Sequence, residues 1–507
     1  MTEPNLSASE ASEMATPAGP AARPARPTPR SEVAPASLTA RLAAAVRTYW
    51  LTAAALATIT LVALALRLEN VDWDRGQHLH PDERFLAMVT SDIRTPDSVS
   101  QYFDSAESPL NPYTHTGSFV YGTLPLFLNK AVAEWLDRDA DGSTHATADA
   151  FRGFLSLLGF QLEGDGGTLA FDGEYNSNLV GRVLSALADV ATVLLVFELG
   201  RVLWDRRVGL LAAALLSLTV LHIQYSHFFG SETFLAFFVT ATVYGSVRIW
   251  KYGTGWNYVW TGIALGCALA TKLSAMPVLV LPGLAVLTRM WPELSLAARR
   301  VREGWQVGRP VALGEAANWP RLLGPAALGL GILLVAGLVF RIAQPYAFEG
   351  PGFFDVFRLD LSLREDVLDL RSLLRLEFLR PTHYIAFSEA YRRDIGGLLN
   401  QQSGADFPPN IQWIGRTPFL FPLSNLALWG LGLPLALAAF GGAGYTLWRI
   451  ARHRDFTGFL VLVWVVFFFW FIARGFNPTM RYFLPIYPSL VALAAFGLAS
   501  VWRAAQQ

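Results

Sequence analysis

The feature that most limits what this chain can fold into is the recurrence of long runs without a charge. The first, Thr48 to Leu66, is nineteen residues long. Others follow at Val208–Ser231, Thr233–Val247, Tyr252–Thr271, Leu273–Thr288, Leu322–Phe340, Thr417–Trp448, Phe456–Ala473 and Tyr482–Trp502. A weaker run, Leu179–Leu199, carries Asp189 and Glu198. About 20 apolar residues in a helix cross the hydrocarbon core of a bilayer. Lipid offers backbone groups no hydrogen bonds, and strand alternation is absent, so the spans are expected as helices. The expected fold class is an all-α polytopic membrane protein with about ten transmembrane helices. Two long extracytoplasmic loops should carry interfacial helices. Only 16% of residues are charged, against about 25% in a soluble domain.

Basic residues set the orientation. They cluster at Arg41/Arg47, Arg201/Arg206/Arg207, Arg248/Lys251, Arg289 to Arg309, Arg449/Arg452/Arg454 and Arg503. With ten spans all of these fall on one side, which the positive-inside rule makes cytoplasmic, together with both termini. The expected location is a plasma (inner) membrane. Residues 1–40, rich in Ala, Pro, Ser and Thr, read as a disordered tail. Residues 41–505 then form the transmembrane domain, with Thr48–Leu66 as an uncleaved anchor. The opposite side receives residues 67–178 and 341–424. In the first of these, Val120, Leu124, Phe127, Leu128, Ala131 and Trp135 fall at helical spacing. That helix either lies in the membrane interface or packs on a soluble loop domain. A second such helix is expected over Phe353–Arg380.

Other classes are excluded. Forty basic residues balance forty acidic ones, which speaks against a nucleic-acid partner. The single cysteine, Cys267, rules out an intrachain disulfide and cysteine-based metal sites, and reads as a buried, inert thiol. Neither a GxGxxG opening a βαβ unit nor a Walker A pattern occurs, so a nucleotide-sugar donor held by a Rossmann-like domain is not expected.

The most informative stretch is Arg67–Arg84, RLENVDWDRGQHLHPDER, directly after the first span. Pro81 suits the first position of a helix, which puts Asp82 and Glu83 in its first turn beside the membrane. A carboxylate there can take a proton from a hydroxyl, or simply favour the positive helix end. His78 and His80 could join the acids around a divalent cation. No other cofactor is implied.

Several stretches resemble polyprenyl-phosphate-dependent glycosyltransferases of the GT-C type, in the group of protein O-mannosyltransferases and aminoarabinose transferases. They are HPDER; GRVLSALADVATVLLVFELGRVL from Gly181; SHFFGSETFLAFF around Glu232; GIALGCALATKLSAMPVLVLP around Lys272; and PTMRYFLPIYPSLVALAAFGL from Pro478. They stand in the family's order over most of Arg67–Trp502. The resemblance implies sugar transfer from a polyprenyl-phosphate donor to a hydroxyl on a protein, glycolipid or glycan. Asp82 matches the family's aspartate and is the expected general base, with Glu83 orienting the acceptor or sharing that role. Glu232 resembles an acidic residue of many members.

Lys272 lies between two apolar runs, where it needs an anionic partner or must snorkel to the interface. It is the first choice for the donor phosphate. Arg481 and Arg474 flank the last outer turn and suit a phosphate through their planar donors, or meet lipid headgroups. Tyr482, Tyr121 and Asn129 are further pocket residues. Asp189, Glu198, Arg182 and Arg201 are expected as ion pairs inside the bundle. A secondary transporter or flippase for a lipid-linked sugar is the competing reading. It would gather ionisable residues at the bilayer midplane, whereas Asp82, Glu232, Lys272 and Arg481 map to the outer boundary. A non-catalytic scaffold predicts no convergence of those four.

Overall fold

A computed structural model describes residues 38–136, 146–157, 163–164, 167–168, 177–354, 387–402, 404 and 408–507. Nearly all of the expected tail, and the expected Phe353–Arg380 helix from residue 355 onward, lie outside the described residues.

The chain opens with α1 (Leu38–Leu68). Short helices α2 (Pro81–Asp92), α3 (Val99–Phe103) and α4 (Pro112–Thr116) lead to α5 (Thr123–Leu136) and α6 (Ala146–Leu157). A two-residue antiparallel ladder follows, Glu163–Gly164 on Gly167–Thr168. Then come α7 (Ser177–Leu203), α8 (Arg206–Ser217), α9 (Val220–Ser226), α10 (Glu232–Tyr252) and α11 (Gly255–Thr271). A 3₁₀ turn, Leu273–Leu279, runs into α12 (Val280–Gln306), followed by α13 (Leu313–Ala316) and α14 (Trp319–Ala343). Beyond these lie α15 (Glu389–Gln401), α16 (Leu420–Asn425), α17 (Leu433–His453), α18 (Phe459–Ala473) and α19 (Tyr487–Ala505), the last preceded by a 3₁₀ turn Met480–Ile486.

The charge-free runs coincide with helices, and the longest, Thr417–Trp448, covers α16, a π-helical turn at Leu426–Gly430 and most of α17. By length and composition six described helices can cross a membrane: Tyr49–Leu68, Ser177–Leu203, Glu232–Tyr252, Leu273–Gln306, Trp319–Ala343 and Met480–Ala505. The pair α8–α9, bent by 59°, makes a seventh. The other expected spans correspond to α11, α17 and the apolar but 15-residue α18.

Close helix contacts rest on small residues, as is usual in lipid, where apolar side chains gain nothing by leaving the bilayer. On α11, Gly262 and Gly266 face α14, and a Cβ on Gly266 would stand 2.6 Å from the Ala336 carbonyl oxygen. The α8–α9 bend is held by Arg67. This fully buried guanidinium donates to the carbonyls of Ser217 (3.0 Å) and Leu216 (3.3 Å) and to Asp189 (2.7 Å). Asp189 also meets His222 Nδ1 at 2.5 Å. The last carbonyls of α8 thus find donors where the helix breaks. The expected ion pairs are re-sorted: Asp189 takes Arg67 inside the bundle, whereas Glu198 meets Arg201 at 2.6 Å at an exposed end of α7.

α5 turns part of its apolar stripe outward. Its buried side carries Asn129 and Lys130 beside Leu126 and Ala133, while Leu128, Ala131 and Trp135 of the apolar stripe are exposed. Water would favour the opposite orientation.

Candidate functional site

Four segments distant in sequence meet at one end of the bundle. The first is α2. His80 caps it, its Nδ1 accepting the Glu83 N–H at 3.3 Å, and Pro81 takes the first helical position. Asp82 and Glu83 therefore sit in the first turn, yet they point to different surroundings.

Glu83 is fully buried and gripped by Arg182 near the start of α7, with Nε to Oε1 and Nη2 to Oε2 both at 2.7 Å. The Phe229 N–H donates to Oε1 at 2.8 Å. Arg182 spends its other donors on Asp74 (2.8 Å) and the Val71 carbonyl (2.9 Å), under the ring of Trp73 at 5.3 Å. Burial would raise the Asp74 carboxyl, but the bond and charge of Arg182 outweigh it and hold it below the usual carboxylate range. Asp72, lacking that bond, is pushed up by burial. With both its oxygens engaged and no exposure, Glu83 is not placed to receive an acceptor. It anchors the turn that presents Asp82.

Asp82 faces the other way and pairs with Arg481, in the 3₁₀ turn Met480–Ile486. Asp82 stays 22% exposed and Arg481 27%, against zero for Glu83 and Arg182. Glu232, the first residue of α10, meets Lys272 at 3.2 Å. Lys272 sits where α11 ends in an extended residue and the chain turns into Leu273–Leu279. Tyr482 joins the two pairs: its ring lies 5.3 Å from Lys272 Nζ and 5.4 Å from the Arg481 guanidinium. Tyr121 closes the opposite flank, 6.0 Å from Lys272 Nζ and with its hydroxyl bonded to Asp82. Burial raises the Tyr121 phenol far above its ordinary range, and the charges of Asp82 and Glu232 add to that. The phenol is therefore a neutral donor to Asp82.

Tyr121 is held there by its neighbours. The Gly122 N–H donates to the Thr271 carbonyl at 3.0 Å. A Cβ on Gly122 would fall 2.0 Å from the Ala270 carbonyl oxygen, so only glycine lets this strand lie on the end of α11. Thr123 N–H in turn reaches Gln344 at 2.5 Å. Sequence reasoning missed Gly122 and Gln344. The YGT just before a helix was the available signal.

Two expected residues lie elsewhere. Arg474 does not join Arg481. It ends α18 stacked on Trp470 (4.8 Å) and Phe471 (5.0 Å), beside a separate cavity. Asn129 is buried in α5 near Thr90, at 3.5 Å. For the cation alternative, His80 caps α2 and stacks on Phe228 at 4.4 Å, while Glu83 is committed to Arg182. No three His, Cys, Asp or Glu side chains converge among the described residues.

Residues 172–297, which include Arg182, Glu232 and Lys272, match the family model described as dolichyl-phosphate-mannose-protein mannosyltransferase. None of the curated protein sequences matches the chain. Among solved structures it is similar to the Archaeoglobus fulgidus oligosaccharyltransferase tethered with an acceptor peptide. That match has 15% identity and a TM-score of 0.50, and covers 90% of this chain and 50% of that one. It is also similar to ArnT from Cupriavidus metallidurans bound to undecaprenyl phosphate, with 16% identity, TM-score 0.46 and coverage of 89% and 60%. The S. cerevisiae protein O-mannosyltransferase complex bound to the sugar donor matches with 18% identity, TM-score 0.36 and coverage of 59% and 35%. The chain spans about half the length of the oligosaccharyltransferase it matches. The likeness to that structure establishes the fold. The glycosyltransferase resemblance read from the motifs, and the multi-helix membrane fold, are borne out by these matches.

Proposed function

We propose that this chain is a membrane glycosyltransferase, moving a sugar from a polyprenyl-phosphate donor to an acceptor hydroxyl on the extracytoplasmic side. The observation that carries this is the meeting of Asp82–Arg481 and Glu232–Lys272 across two aromatic rings at one end of the bundle. Two cations, each held by one carboxylate and partly exposed, are ready to re-partner with an entering phosphate.

In this reading Arg481 and Lys272 turn to the donor phosphate. Arg481 thereby releases Asp82. The acceptor oxygen attacks the anomeric carbon while Asp82 takes its proton. The bond from that carbon to the phosphate oxygen breaks, and the electron pair leaves on the phosphate, where Lys272 and Arg481 stabilise the added charge. Glu232 keeps Lys272 in place, and the neutral Tyr121 hydroxyl orients Asp82. The apolar stripe of α5, facing outward, suits a helix lying in the membrane interface where a lipid tail arrives. The basic residues at the opposite helix ends support cytoplasmic termini.

The test supplies purified protein with labelled polyprenyl-phosphate sugars and protein, glycolipid or glycan acceptors. Asp82→Asn should lower turnover by roughly 10²–10⁴-fold, the usual worth of a positioned base. Equal turnover by wild type and variant rejects Asp82 in that role.

A further inference from the structure

The cavity beside Arg474 belongs to no part of this chemistry. Its volume is about 260 Å³, and Gln402, Trp413, Arg416, Thr417, Arg474 and Gly475 are among its walls. The walls are tied together. Asn410, 1% exposed, donates to the carbonyls of Gln401 (2.6 Å) and Gly404 (2.9 Å) and accepts from Asn477 at 3.4 Å. The Phe476 N–H donates to the Gln402 carbonyl at 3.1 Å.

Both arginines are braced by aromatic faces: Arg416 on Phe421 at 4.9 Å, and Arg474 on Trp470 and Phe471. A guanidinium stacked in this way keeps its in-plane N–H edges available to an oxyanion. Neither has an ion-pair partner among the described residues. Aliphatic side chains stand exposed in the same stretch of chain, with Ile411, Ile414 and Leu420 about 60% exposed (60%, 59% and 63%). Cations next to exposed aliphatic side chains suit neither open water nor hydrocarbon. They suit the boundary, where aliphatic groups enter the acyl layer and arginines reach phosphate depth.

We infer that Arg416 and Arg474 form a binding site for the phosphate of an anionic lipid headgroup, distinct from the Asp82 site. This rests on the membrane setting of the proposed function and not on sugar transfer. Binding is read without turnover, so failure of the transfer assay and failure of this site are separable.

The experiment is native mass spectrometry of the full-length protein with equal amounts of phosphatidylglycerol and phosphatidylcholine. Wild type should retain phosphatidylglycerol preferentially. Arg416→Gln/Arg474→Gln should reduce that retention about tenfold or more, as expected for losing charge-assisted hydrogen bonds. Arg416→Lys/Arg474→Lys should keep part of it, and excess inorganic phosphate should not displace the lipid. Equal retention of the two lipids by wild type overturns the proposal whatever the variants do. So does unchanged preference in a glutamine variant that elutes as wild type does. Displacement by inorganic phosphate reassigns the site to a free anion and overturns the lipid reading.

Discussion

Asp82 and Glu83 are neighbours in one helical turn, and their environments differ in every respect that matters. Around Glu83 the charges are enclosed: Arg182 donates to two carboxylates and a carbonyl, and nothing is exposed. Around Asp82 the cations keep spare donors, and each pair remains open to solvent. A buried ion cluster closed to solvent fixes geometry. One that stays open can accept a ligand. Access to solvent, more than the presence of charge, separates the two regions.

That contrast can be broken from either side. Arg182→Met leaves Glu83 and Asp74 buried without their cation, each with only a backbone N–H. It should cost about 3–5 kcal/mol, the usual result of removing one member of a buried pair. Thermal unfolding in detergent would reveal it; an unchanged Tm would mean the clamp is not structural. Arg481→Gln should leave Tm nearly unchanged and lower turnover about 10²–10³-fold, as expected for a lost oxyanion donor. A large loss of Tm in this variant would merge the two regions. Gly122→Ala forces a side chain against the end of α11, an overpacking that costs about 1–3 kcal/mol. It should displace Tyr121 and weaken donor binding more than it changes fold, which a KM against kcat comparison reads.

The smallest effect concerns acid. The folded Asp74 carboxyl lies below its ordinary value of 3.8. Its contribution to stability is therefore complete above that pH and is lost as pH falls through the folded value. The Tm gap between wild type and Asp74→Asn should stay constant down to about pH 4 and narrow below it. A gap that closes near neutrality would contradict the clamp.

The spans were legible because a charge-free run has few alternatives in lipid. Asp82, Glu232, Lys272 and Arg481 were legible for the same reason, as rare charges at run boundaries. The division of labour between Asp82 and Glu83 was not. It depends on Arg182, 99 positions from Glu83, and no local period reports a partner so distant. The α5 stripe was read correctly as amphipathic, but the pattern alone left open which face the protein buries. Gly122 was invisible because its importance lies in what touches it.

The bend between α8 and α9 reaches further than its own hydrogen bonds. Beyond it the chain delivers Phe228 to His80 and the Phe229 N–H to Glu83. Arg67 is thus a pin shared by two neighbours: the same guanidinium that holds the bend of α8 on α9 fixes the segment carrying Phe228 and Phe229, and through them His80 and Glu83, the residues on either side of Pro81 and Asp82.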